Sequence, residues 1–83
     1  MQITLKLYAS FGRFLPPGAR HNTVELELES GQSIHSVLDR YAVPLKEAHL
    51  VVVNGVFVCE SERDSYRLSE GDTLAVWPAV AGG

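Results

Sequence analysis

His49-Leu50-Val51-Val52-Val53-Asn54-Gly55-Val56-Phe57-Val58 is the stretch that decides the fold. The nearly continuous apolar run from His49 to Val53 has the pattern of an internal strand. Asn54-Gly55 followed by Val56-Phe57-Val58 predicts a tight hairpin of type I′, because both central residues of that turn need a positive φ, which Asn and Gly tolerate best.

Outward toward the C-terminus, Glu60 to Tyr66 is polar and loop-like, and Ser69-Glu70-Gly71-Asp72 reads as a turn. Thr73 to Trp77 then forms the last strand, closed by Pro78. Outward toward the N-terminus, Ser33 is placed as an N-cap, and Ile34, Val37, Leu38 and Tyr41 follow at helical spacing, with Pro44 as the expected stop. Val24, Leu26 and Leu28 alternate with Glu25, Glu27 and Glu29, a strand with an acidic outer face. Ile3, Leu5 and Leu7 alternate with polar neighbours in the same way, so the first two strands are expected to pair antiparallel. Between them Phe11, Phe14 and Leu15 make at most a short helical turn, stopped by Pro16-Pro17-Gly18.

The resulting order is strand, strand, helix, strand, strand, strand. One helix covers one face of such a sheet, so the expected fold is an α+β roll with a curved, mostly antiparallel sheet and an opposite face left to solvent or a partner. At 83 residues this is one small domain with no room for a deep catalytic cleft. With 46% hydrophobic and 20% charged residues the chain is expected to fold alone. A net charge of −3, with seven Lys and Arg scattered along the length, gives no footprint for nucleic acid. Neither a leader nor a span of about 18 apolar residues is present, so a cytoplasmic protein without membrane contact is expected. A single cysteine, Cys59, excludes an intramolecular disulfide and a Cys-pair metal site.

After the last strand come Ala79-Val80-Ala81-Gly82-Gly83, expected to form a flexible tail over 79–83. Glycines add nothing to a core, but they make an end thin enough to thread a narrow channel and present a carboxylate to a nucleotide. On the last strand Leu74 and Val76 alternate with Ala75 and Trp77, so burial of the first pair turns Trp77 to the side without the helix. There it is either an exposed binding hot spot or a cap on the edge of the core.

The segment from Glu70-Gly71-Asp72 through Val76-Trp77-Pro78 to Gly82-Gly83, together with Val53-Asn54-Gly55, resembles the ubiquitin-like sulfur carriers of the MoaD/ThiS superfamily. The element order is similar to their β-grasp fold, a mixed, mostly antiparallel sheet of four to five strands with one main helix, and the resemblance covers residues 1–83 as a single domain. It implies a carrier or cosubstrate and not an enzyme in its own right. The Gly83 carboxylate would be adenylated by a ThiF/MoeB-like partner using ATP and Mg, with no cofactor or metal bound by the chain itself, and then converted to a thiocarboxylate. Gly82 would be threaded with Gly83, while Ala81, Val80, Pro78 and Trp77 would meet the partner. A sulfur-accepting synthase subunit, MoaE-like or thiazole-synthase-like, would follow, making the chain a small subunit of a molybdopterin-synthase-like sulfurtransferase in the first case. The long Phe11-to-Asn22 stretch is closer to the molybdopterin type, which is favoured. Gly31-Gln32-Ser33-Ile34-His35 is similar to the thiamine type, and Ala79 stands where molybdopterin carriers often have a second proline. Two alternatives remain open: a protein modifier joined to lysines through Gly83, and a β-grasp interaction module whose tail is incidental.

Other polar residues carry no chemistry in this pattern. Cys59 has no His or second Cys near it in sequence and is expected to be a bystander. His21, His35 and His49 fall on three elements without metal-ligand spacing. Asp39, Arg40, Glu60, Glu62, Arg63 and Asp64 read as surface charge, and the Glu25, Glu27, Glu29 row as a solvated strand face.

Overall fold

The strand that ends the fold is also its centre. In a computed structural model that describes residues 1–79, the chain forms β1 (Gln2–Leu7), β2 (Thr23–Glu27), α1 (Ile34–Arg40), β3 (Ala48–Val53), β4 (Val56–Phe57) and β5 (Thr73–Pro78). Val80, Ala81, Gly82 and Gly83, and with them most of the expected tail, lie outside the described residues. The five strands make one sheet in the order β2-β1-β5-β3-β4. β1 pairs with β2, β3 with β5 and β3 with β4 antiparallel, while β1 and β5 run parallel, so the sheet is mixed and mostly antiparallel as expected.

Alternation decides which side chains enter the core. Leu5 pairs with Leu74 and Leu7 with Val76 across the parallel ladder, Val76 pairs with Val51 across the antiparallel one, and all five are fully buried. Against this face α1 packs Ile34, Val37 and Leu38, the helical stripe of the sequence, each with no exposed surface. Burying such a side chain contributes about 1.5–3 kcal/mol each before the entropy of ordering is set against it. Phe11 closes the end of the core from a 3-10 helix, Ala9–Phe14, with Phe14 edge-on to it at 5.8 Å.

Local signals set the boundaries. The Ser33 hydroxyl accepts from the Ser36 N–H at 3.1 Å, the expected N-cap. Pro44 does not end the helix, contrary to expectation. It stops at Arg40, where Ala42 turns left-handed at φ 61°, its N–H bonds Asp39 and the Val43 N–H bonds Leu38. These are the two closing bonds of a Schellman motif, with alanine where glycine is usual and buried Val43 sealing the turn. At the hairpin Asn54 and Gly55 take φ 51° and 84°, as a type I′ turn requires, and Val53 pairs with Val56. Its second arm is only two residues long, since Val58 turns inward and is buried.

Candidate functional site

Whatever follows Ala79 leaves from the end of β5, so the site is built around that end. β5 lies between β1 and β3 and is held by ladders on both sides. Its start is locked by side chains. The Asn54 amide donates to an Asp72 carboxylate oxygen at 2.9 Å, its carbonyl oxygen accepts from the Thr73 N–H at 2.9 Å, and Asp72 also accepts from the Ser69 N–H at 2.8 Å. The Asn-Gly and Gly-Asp pairs of the sequence thus meet in space and join the hairpin to the turn before β5.

The far end of β5 is held differently. Ala48 pairs with Pro78 and Leu50 with Trp77, so β3 carries one extra residue, His49, in a bulge beside the last residue of the strand. Arg63 reaches this point. Its side chain donates to the carbonyls of Val58 at 3.0 Å, Ala48 at 2.8 Å and His49 at 3.4 Å, and the residue is only 2% exposed. It was expected at the surface, and the structure corrects that: the bulge leaves backbone carbonyls that a planar, many-donor guanidinium satisfies, which offsets the cost of burying it. No acidic side chain lies within ion-pair distance of it among the described residues. A polar run gives no period to mark one of its charges as buried, so sequence reasoning had no signal for it. Beside Arg63, Lys46, His49, Phe57 and Ala79 line a cleft of about 270 Å³.

Trp77 faces away from the helix, as alternation predicts. It is half-buried, with Tyr8 stacked on its ring at 4.5 Å between centroids and 9° between planes. Leu50 pairs with Trp77, Val52 with both Ala75 and Phe57, so one apolar band runs across the open face from Tyr8 to Phe57. Phe57 is 55% exposed, and Val56 beside it 67%. Pro78 is half-buried and Ala79 exposed. Of the other expected partner-contact and reactive residues, Val80, Ala81, Gly82 and Gly83 lie outside the described residues.

The remaining polar side chains are dispersed. Cys59 is half-buried, its sulfur 3.2 Å from a Glu62 carboxylate oxygen and 3.4 Å from the Ser61 hydroxyl. His35 lies 3.8 Å from Asp64 on the helix side. Glu25 and Glu27 are exposed on edge strand β2, Glu25 accepting from Thr4 at 2.8 Å. Among the described residues no three His, Cys, Asp or Glu stand close enough to hold a metal ion, and no helix is long and apolar enough to cross a membrane.

Comparison with known proteins places this architecture. No curated protein matches the sequence. Among solved structures, the HVO 2177 protein of Haloferax volcanii superposes with a TM-score of 0.73 at 25% identity, over 100% of this chain and 87% of that one. SAMP1 of the same organism gives 0.66 at 18% identity over the whole of both chains. The complex of subunits 1 and 2 of molybdopterin-converting factor from Helicobacter pylori gives 0.61 at 13%, again with full coverage of both chains. At these identities the last two show the shared fold. The description of the Mut7-C ubiquitin family matches residues 1–82. A mixed five-stranded sheet with one packed helix and a match over nearly its whole length make this chain a member of the Mut7-C ubiquitin family, with a ubiquitin-like β-grasp fold.

Proposed function

We propose that this chain is a sulfur carrier whose C-terminal Gly83 carboxylate is the reactive group. The observation that carries the proposal is the placement of β5. β5, after which Gly82 and Gly83 follow in the sequence, is the central strand, tied to both neighbours, and the apolar band beside it offers a partner a docking surface. Rigid support with a thin reactive end suits a cosubstrate that another protein's active site must enclose. In that site the carboxylate attacks the α-phosphate of ATP, held with Mg by a ThiF/MoeB-like enzyme, releasing pyrophosphate and leaving an acyl adenylate. The outer sulfur of a persulfide donor then displaces AMP to give an acyl disulfide, and a thiol attacks the donor's own sulfur in that S–S bond, so that a new disulfide forms and the thiocarboxylate leaves. The partner supplies the electrostatic stabilisation, so the carrier needs no acid, base or metal of its own.

The subunit 1 fold in the H. pylori complex, seen with its subunit 2, supports a synthase large subunit as the sulfur-accepting partner and favours the molybdopterin type over the thiamine type. Incubation with an activating enzyme, ATP and a sulfur donor is expected to exchange one oxygen for sulfur at Gly83, read as an intact-mass increase. An unchanged mass with an enzyme active on its own carrier defeats the proposal. The likeness to SAMP1, a small archaeal modifier protein, favours a second role in which Gly83 is joined to lysines of other proteins. Recovery of isopeptide-linked adducts from cells tests it.

A further inference from the structure

The bulge at His49 and the side chain that holds it stand beside the last pairing of β5. Ala48 pairs with Pro78 only because β3 takes an extra residue there, and a bulge re-aims the strands that meet at it. A bulge leaves its extra residue unpaired and the ladder locally disrupted. Here one side chain spans it, donating to the carbonyls of Ala48 and His49 on β3 and of Val58 beyond β4. Five N–H groups in a fixed plane make Arg suited to fastening three carbonyls at once; a Lys ammonium is a point on a flexible stem. A buried guanidinium without an acidic partner among the described residues is an expensive way to add stability alone, which leaves geometry as its use.

We infer that Arg63 is a positioning residue: by fixing the carbonyls of Ala48 and His49 it holds the bulge, keeps Pro78 in register, and so sets the direction in which the chain leaves the sheet. The inference rests on the carrier reading for its consequence, since a tail aimed off line must be bent before it enters a partner's nucleotide pocket. Misaim is felt in binding of the carrier and not in the chemistry once the carboxylate has arrived, so it raises KM and spares kcat.

Two measurements on the full chain test this. In the activation assay Arg63→Met is expected to raise KM for the carrier about tenfold or more with kcat within about twofold, and Arg63→Lys to fall between Arg63→Met and wild type. By NMR, Arg63→Met is expected to lose the Ala48–Pro78 cross-strand contacts while keeping those of Val51 with Val76; Arg63→Lys keeps part of the former. Should Arg63→Met not fold, Arg63→Lys carries both arms. A folded variant with wild-type KM, or one that keeps full Ala48–Pro78 contacts, overturns the inference. A wild-type chain that is never adenylated defeats the carrier reading instead, and the NMR arm still decides the role of Arg63 in register.

Discussion

Trp77 and Tyr8 stack with their ring centroids 4.5 Å apart and their planes 9° from parallel, which clips the residue after β1 to the end of β5 on the open face of the sheet. The Tyr8 N–H adds a backbone bond to the Val76 carbonyl at 3.1 Å, so stack and ladder act on the same junction. A double-mutant cycle of Tyr8→Ala and Trp77→Ala in chemical denaturation is expected to give a coupling of about 0.5–1.5 kcal/mol, the range for aromatic pairs beyond their burial. Trp77 is the sole tryptophan, so its fluorescence reports this contact without interference. A coupling near zero would mean the rings are neighbours without mutual stabilisation.

Asn54 spends its side chain on two partners, Asp72 and the Thr73 N–H, while its backbone sits at φ 51°. Asn54→Ala removes both bonds and leaves a Cβ residue without side-chain support in a left-handed conformation, so a loss of about 1–3 kcal/mol is expected. Asn54→Gly loses the bonds but relieves the backbone, and is expected to cost less. Equal losses for the two variants in urea denaturation would show that the backbone conformation contributes nothing.

Ala42 closes α1 at φ 61°, a position that favours glycine. Ala42→Gly is expected to stabilise the chain by roughly 0.5–1 kcal/mol, read as a raised denaturation midpoint with unchanged slope. Gly12 responds in the opposite direction: an added Cβ meets the Asn22 side-chain nitrogen at 3.1 Å, and that nitrogen donates to the Leu7 carbonyl at 2.9 Å. Gly12→Ala is therefore expected to destabilise, through the bond that ties the β1–β2 connection back to β1.

Phe57 is more than half exposed at the end of the apolar band. Phe57→Ser is expected to cost about 1 kcal/mol of folding stability, through its pair with Val52 and the Arg63 guanidinium 5.9 Å from its ring, while weakening docking of an activating enzyme about tenfold, equivalent to about 1.4 kcal/mol. Calorimetric titration against the enzyme, with thermal unfolding of each variant alone, separates the two effects. Wild-type affinity in the variant would remove Phe57 from the docking surface.

Removal of Gly82 and Gly83 is expected to abolish activation and leave thermal unfolding unchanged, since the core is already complete with Leu74 and Val76. Full activation of the shortened chain, assayed by adenylation, would contradict the proposed role of the terminal carboxylate.

Much of this architecture was legible along the chain because its signals are local. Alternation marked Ile3, Leu5, Leu7, Leu74 and Val76 as one buried face, helical spacing marked Ile34, Val37 and Leu38, and Ser33 and Asn54-Gly55 marked a helix start and a hairpin, since each depends on a residue's own backbone and near neighbours. Which strands lie side by side is another matter. The parallel pairing of β1 with β5, the stack of Tyr8 on Trp77 and the burial of Arg63 against Ala48 and His49 join residues 14 to 69 positions apart, and alternation says which face a side chain takes but not what it meets there. The end of α1 at Ala42, ahead of Pro44, shows the same limit at short range, because a left-handed alanine has no mark in its own identity and is held by the burial of Val43. Packing decided these features: a buried carbonyl must find a donor and a buried side chain a neighbour, and only the closed fold determines which one is within reach.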